Sequence, residues 1–357
     1  MGEAIARARE LAGRVDRPEY LAAVLIGQYA YHLVRTEYRL ALSLAERIEK
    51  IGEARNDVAI QLAGRRRSGY IRLRLGEFIA ARGLLERCHH LADPAHRALA
   101  GSISDDPYSG MLATLAVTLT YLGYFDQAQL RMNEALCEAH RLGHAQASFV
   151  LLDVTWAELI TGADESQRHA KELLALSIEH GFPVHLGWAT AFRGKCLTAL
   201  GQVQEGQMLL LQGLATIRAT GFVMGTPYVL VGLAEAYGML DRLVEGLNCL
   251  AEAAQIIETT EERIFDAELD LMRGDLLNAA GDRAAAEQSY YEAIAIAQRQ
   301  STKLFELRAA TNLARLWRDQ GKRNEACKLL APIYGWFTEG FETPVLQDAK
   351  ALLDQLT

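Results

Sequence analysis

A short turn recurs along the chain at nearly constant spacing, and this periodicity restricts the fold more than any other feature of the 357 residues. The instances are RTEYRLA from 35, LGEFIAA from 75, LGYFDQA from 122 and TGADESQ from 161, then LGQVQEG from 200, LDRLVEG from 240, AGDRAAA from 280 and QGKRNEA from 320. They set a turn residue at Thr36, Gly76, Gly123, Gly162, Gly201, Asp241, Gly281 and Gly321, with successive steps of 40, 47, 39, 39, 40, 40 and 40. Self-similarity on this scale marks stacked supersecondary units, each of which buries its apolar face only against its neighbours.

Packing positions repeat with the turn. Seven residues before it stand Gly69, Ala116, Gly194, Ala234, Gly274 and Ala314, and five residues after it Ala41, Ala81, Ala128, Gly206, Gly246, Ala286 and Ala326. Small residues on both sides of a turn let two antiparallel helices approach closely. Tyr29, Thr155 and Gln167 interrupt the pattern in the first and fourth repeats. Between turns the apolar residues follow helical spacing, as in Leu209, Leu210, Gly213, Leu214 and Ile217. The abundance of Ala, Leu, Glu, Arg and Gln favours helix, and no run of Val, Ile and Thr bounded by hairpin turns argues for strands.

Small residue, turn glycine, small residue at these offsets is the tetratricopeptide pattern. It predicts an all-α fold, a right-handed superhelix of about eight helix pairs, forming a single repeat domain over 1–357. The usual period is about 34 residues, so the 40-residue step predicts longer helices or longer connections. The 47-residue step predicts an inter-repeat insertion at 93–110, where DPAHRALAGSISDDPYSG has the Pro, Gly and Asp content of a loop. EAIARARE at 3–10 matches EAIAIAQR at 292–299. Residues 1–13 are therefore expected to be the second helix of a truncated repeat, as in a fragment of a longer protein. Residues 343–356 read as a Pro-started capping helix with Asp348, Lys350 and Asp354 on its solvent side.

The formal charge of −8 argues against a duplex-DNA binder, which needs a concentrated basic face. Arg65-Arg66-Arg67, the densest basic run, fits a solvated helix face with one or two packed arginines. Five dispersed cysteines and no CxxC motif suit a reducing compartment, the cytoplasm, rather than a disulfide framework. The uncharged stretch 107–125 is as long as a membrane span, but its Pro, Gly and Thr content and its register with the repeats predict a buried repeat helix.

Three segments carry a family resemblance: LFELRAATNLARLWRDQGKRNEACKLLAPIYGWFTEGFETPVLQDAKALLDQL (304–356), HRALAGSISDDPYSGMLATLAVTLTYLGYFDQA (96–128) and GLATIRATGFVMGTPYVLVGLAEAYG (213–238). They resemble the C-terminal helical-repeat region of bacterial class III adenylate cyclase-like and LuxR-like signalling proteins. The resemblance implies a sensor or scaffold arm that regulates a STAND-type ATPase module and a nucleotide cyclase domain ahead of it. The sequence contains no GxxxxGK[ST] phosphate loop, and Gly194-Lys195-Cys196 lacks both the upstream glycine and the following Ser/Thr. Neither ATPase nor cyclase activity carries over to these residues.

Little else in the sequence speaks of chemistry. No GxSxG, HExxH, EF-hand or GxGxxG motif occurs. Cys88-His89-His90 with His96 reads as a packed cysteine beside surface histidines, because adjacent helical residues diverge by about 100°. His140 and His144 have a metal-pair spacing that Gly143 interrupts. Neither cluster predicts a metal, and no cofactor is expected. The carboxylate pairs Asp105-Asp106 and Glu261-Glu262 read as helix-start and loop residues.

The candidate site is therefore the concave side, which the first helix of each pair lines. Residues ten and six before the turn include Arg66, Tyr70, Trp156, Lys195, Glu235, Asp275 and Arg315; one turn further back lie Trp188, Tyr228, Glu268 and Arg308. Aromatics mixed with both charges suit the anchoring of a protein, a peptide or a polar ligand. The expected function is a non-catalytic regulatory module with a protein or peptide partner in the groove, the ATPase and cyclase domains implied by the resemblance among the candidates, and with no nucleic acid or membrane partner. The other expectation is a small-molecule sensor, as in a STAND-type transcriptional regulator.

Overall fold

A computed structural model describes residues 18–93, 97, 106–161 and 165–356. The residues of the expected first half-repeat, 1–13, and most of the 93–110 insertion lie outside that set. The described residues form eight successive helix pairs and a final helix. The first four pairs are α1 (Pro18–Val34) with α2 (Tyr38–Arg55), α3 (Val58–Arg74) with α4 (Phe78–Glu86), α5 (Pro107–Leu122) with α6 (Phe125–Leu142), and α7 (His144–Thr161) with α8 (Ser166–His180). The last four are α9 (Pro183–Ala199) with α10 (Val203–Ala219), α11 (Thr226–Met239) with α12 (Leu243–Thr260), α13 (Asp266–Ala279) with α14 (Arg283–Gln300), and α15 (Lys303–Asp319) with α16 (Arg323–Tyr334). The chain ends on α17 (Pro344–Leu356), and 3-10 turns lie at His89–Ala92 and Arg263–Phe265. This is a tetratricopeptide-like right-handed superhelix, as the periodicity predicts. The long period comes from helix length: most of the helices run to 14–18 residues, with connections of two to four residues inside a pair.

Seven of the eight predicted turn residues adopt left-handed backbone, with φ from 57° at Asp241 to 87° at Gly123, and Gly162 lies outside the described residues. A residue in that conformation ends the first helix and satisfies its last carbonyls. The connection between pairs uses the same device, at Asn56, Gly143, Gly181, Gly221, Glu261 and Ser301. The sequence pattern misses this second series because its residues are chemically mixed.

Two expectations need correction or refinement. α5 starts at Pro107, inside the stretch expected to be loop, because Asp106 caps it by accepting from the Tyr108 and Ser109 N–H groups at 3.1 and 2.8 Å. Of its 16 residues, 14 are buried, so the uncharged segment is a packed repeat helix. Among the described residues no helix is long and apolar enough to cross a membrane. α17 buries Leu346, Ala349, Leu352 and Leu356, while Asp348, Lys350 and Asp354 are exposed.

The small residues make the pairs close. A Cβ on Gly194 would lie 2.7 Å from the Gly206 carbonyl oxygen, and one on Gly213 would lie 2.7 Å from both the Ala191 nitrogen and the Gly187 oxygen. Backbone thus packs on backbone along the whole α9–α10 crossing.

The superhelix is wound tightly enough for its coils to touch. Arg39 of the first repeat reaches Glu261 at 2.6 Å and Arg74 of the second reaches Glu262 at 3.3 Å, joining both to the turn before the seventh. Phe125 stacks on Phe337 with ring centroids 5.9 Å apart, and the Gln127 amide donates to Glu339 at 3.0 Å, joining the third repeat to the end of the eighth. One superhelical turn therefore takes about five repeats, and the concave side faces the molecule's own far end.

Gly213→Ala should lower unfolding stability by about 3 kcal/mol, because backbone must move to admit the methyl. Gly201→Ala, with positive φ but nothing within 4 Å, should cost about 1 kcal/mol. Urea denaturation of the two variants checks this; equal losses would mean that the helices separate cheaply.

Candidate functional site

Aromatic side chains, most of them from the inner helices, meet along the middle of the superhelix. Phe78 stacks on Tyr121 at 5.0 Å, and Tyr121 lies 6.0 Å from Trp156 and 5.4 Å from Phe305. Trp156 in turn lies 6.0 Å from Tyr228 and 5.7 Å from Phe265. Rings from five repeats and from the turn before the seventh thus form one column, with Trp156 at its centre and 4% exposed.

Beside this column a cavity of about 460 Å³ opens between α1, α3, α5, α7, α9 and α11. Five of the eleven sequence-predicted residues line it: Arg66, Tyr70, Trp156, Trp188 and Tyr228. Trp188 and Tyr228 are also packing residues, at 6% and 3% exposure, so they are walls rather than free anchors. Phe149 stands at the mouth, 42% exposed.

The other six lie deeper in the C-terminal half, engaged mostly with one another and with neighbouring side chains. Lys195 pairs with Glu235 at 2.9 Å and lies over the Tyr228 ring at 5.1 Å. Arg308 reaches Glu268 at 4.0 Å. Asp275 accepts from the Tyr290 hydroxyl at 2.8 Å and from Asn312 at 2.7 Å. Arg315 bonds Asn312 and pairs with Asp348 of the last helix. The inner face thus falls into two zones: a cavity in the N-terminal half, and a chain of interacting polar groups beyond it. The close winding brings opposite charges on neighbouring inner helices into contact, which a one-dimensional pattern does not show.

Burial governs the titration of this polar chain. It pushes the Glu268 carboxyl up, against the pull of Lys195 and Arg308. At Asp275 it outweighs two hydrogen bonds and raises the carboxyl to about 6. At Glu235 burial also opposes the charge, but the Lys195 ammonium prevails and the carboxyl lies below its ordinary range.

Several residues the sequence pattern passed over close the site. Glu262 stands, as read, at a helix start, just before the Arg263–Phe265 turn, and is wholly buried there. Its carboxylate accepts from the Gly225 N–H at 2.9 Å and from Arg74 at 3.3 Å. Arg74 also donates to the Tyr70 hydroxyl at 2.9 Å and lies 5.1 Å over the Trp156 ring. His185, with Ser148 at 2.7 Å, forms part of the wall, and burial pushes its imidazole down to about 4. Extending the inner-face series by one more helical turn, to sixteen residues before the repeat turn, reaches His185, Phe265 and Phe305; that signal was available. Nothing local marked Arg74 and Glu262. Of the other clusters, Cys88 is buried and His89 and His90 are exposed. His96 lies outside the described residues, among which no group of three or more His, Cys, Asp and Glu could hold a metal.

No protein-family model matches the chain, and no curated protein matches it either. Among solved structures it is similar to a Rap protein complexed with Competence and Sporulation Factor, with a TM-score of 0.56 at 14% identity over 95% of this chain and 98% of that one. The apo form of the quorum sensor NprR from B. thuringiensis gives 0.55 at 14% identity, over 91% and 90%. The apo form of RapI gives 0.50 at 11% identity, over 80% and 96%. At such identities the likeness is one of fold: the chain is a tetratricopeptide-like helical-repeat protein wound along nearly the full length of these structures.

Glu262→Ala should cost about 3 kcal/mol, since it strands the buried Arg74 charge. The helical signal should persist while small-angle scattering shows a larger radius of gyration; unchanged compactness would mean that this pair does not hold the coils together. Asp275 has a raised folded pKa, so its contribution is full below the unfolded value near 4 and is lost as pH rises through about 6. Asp275→Asn should therefore gain on the parent by about 2 kcal/mol between pH 4 and pH 7. A pH-independent difference in urea midpoints would contradict that.

Proposed function

We propose that the chain is a non-catalytic regulatory binding module that takes its ligand inside the superhelix, as the cytoplasmic C-terminal sensor or scaffold arm of a multidomain bacterial signalling ATPase or cyclase. The observation that carries this reading is the cavity: its wall includes Tyr70, Arg74, Gly225 and Trp156, the residues that meet the Arg74–Glu262 contact between coils. A ligand seated there touches both sides of the closure. It then shifts the winding by its difference in affinity for the tighter and looser states, and the altered winding is what attached ATPase or cyclase domains would sense. Protein or peptide partners are supported by the fold shared with the Rap protein solved with Competence and Sporulation Factor and with the quorum sensor NprR.

The cavity's size bears on which ligand. About 460 Å³ falls in the range of small-molecule sites, and the polar chain beyond it leaves no continuous groove for a long extended peptide. That favours the small-molecule reading, or a short peptide end, for the interior. Larger partners then dock on the outer faces.

A true ligand at a hundred times its dissociation constant should stabilise the fold by about 2.7 kcal/mol. Leu152→Trp, at a half-buried wall position, should fill the space and abolish that gain without loss of helicity. A ligand that stabilises parent and variant equally binds elsewhere, and the interior reading then fails.

A further inference from the structure

We infer that the cavity takes an uncharged, largely apolar small molecule with a flat aromatic body, held by ring faces and by shape more than by hydrogen bonds. The inference rests on the reading that the ligand is bound inside the superhelix, and names its chemistry. Polar side chains of the wall are already committed within the protein. Gln146 accepts from the Asp106 N–H at 2.6 Å and donates to the Ser109 hydroxyl at 2.7 Å. Thr114 donates to the Gly110 carbonyl at 2.9 Å, and His185 is bonded to Ser148 at 2.7 Å. The Tyr70 hydroxyl accepts from Arg74, whose charge meets Glu262. Arg67 donates to the Ala63 carbonyl at 2.9 Å and lies over the Tyr29 ring at 5.7 Å. Arg66 and Asp153, of opposite charge on the same wall, each have interactions of their own.

A charged ligand would have to break into these contacts or enter unpaired, and an unpaired charge taken out of water is costly. Buried His185 does not supply a counter-charge near neutral pH, because its imidazole titrates at about 4. What the wall offers instead is carbon, much of it in rings. Trp156 and Tyr228 line the cavity, yet the indole Nε1 and the phenol oxygen are shut off from solvent, so both residues meet the space through other atoms. Phe149 at the mouth and half-buried Tyr70 and Phe222 leave ring surface uncovered. Contact between rings adds to what apolar burial gives. A sugar or a phosphate ester would lose water from its hydroxyls or charges against such a wall, whereas an uncharged aromatic body loses little and covers the rings.

Titration calorimetry with 2-naphthylmethanol, its saturated decahydronaphthalene analogue, 2-naphthoate and 2-naphthylmethylamine tests the chemistry. The aromatic alcohol should bind with a negative heat-capacity change. The saturated alcohol should bind about fivefold more weakly, and the acid and the amine at least about tenfold more weakly. Phe149→Leu keeps an apolar mouth without the ring and should reduce the preference for the aromatic alcohol, with helicity checked by circular dichroism. Acid or amine binding as tightly as the alcohol overturns the uncharged ligand while the interior site stands. Equal affinity for the aromatic and saturated alcohols overturns the ring contact and likewise leaves the site. Failure of every probe at millimolar concentration, or binding that Leu152→Trp leaves unchanged, overturns both the ligand class and the interior reading.

Discussion

The contact on which most of the architecture depends is the meeting of aromatic rings around Trp156. That side chain comes from the fourth repeat and touches rings of the third, the sixth and the turn before the seventh, with the Arg74 guanidinium of the second repeat over its face. In an ordinary stack of helix pairs each repeat is held only by its neighbours, and stability is close to a sum of nearest-neighbour terms. Here rings distant in sequence share one core, so the winding angle is fixed by packing as well as by repeat geometry. Aromatic pairs add about 0.5–1.5 kcal/mol beyond area burial, and a column of them makes the superhelix cooperative across its width.

Charge follows from that compactness. Inner faces that would be solvated in a wide spiral come into mutual contact, and isolated buried charges are costly. The carboxylates and cations of the last four repeats accordingly pair, as Lys195 does with Glu235 and Arg308 with Glu268. Buried side-chain atoms without a hydrogen-bond partner occur in both halves, at Trp156 Nε1 and the Tyr228 hydroxyl beside the cavity and at Glu268 Oε2 beyond it. The cavity itself lies in one half of the interior, next to the contact that closes the coils. Binding and winding are linked there by adjacency, with no long transmission path needed.

Sequence legibility varied with the range of the interaction. The turn series was plain, because each turn needs left-handed backbone and glycine supplies it at least cost. The small residues flanking it were equally plain, since helix approach restricts size locally. Glu262 was not legible. Beside a turn, an acid looks like any solvated loop residue, and its partners Arg74 and Gly225 stand in other repeats. The eleven inner-face positions were chosen by helical register, which places residues on a face but says nothing about what that face meets.

The sequence by itself determined the all-helical class, the approximate number of helix pairs and which helix of each pair faces inward, because these depend on contacts within about forty residues of chain, the repeat step itself. The tertiary structure decided how tightly the superhelix winds, and therefore whether an inward side chain lines a cavity, stacks in the column or pairs with an opposite charge. Winding accumulates from small rotations at every repeat, and its outcome is set by contacts between residues roughly 180 or more positions apart. No periodic pattern in one repeat encodes those contacts.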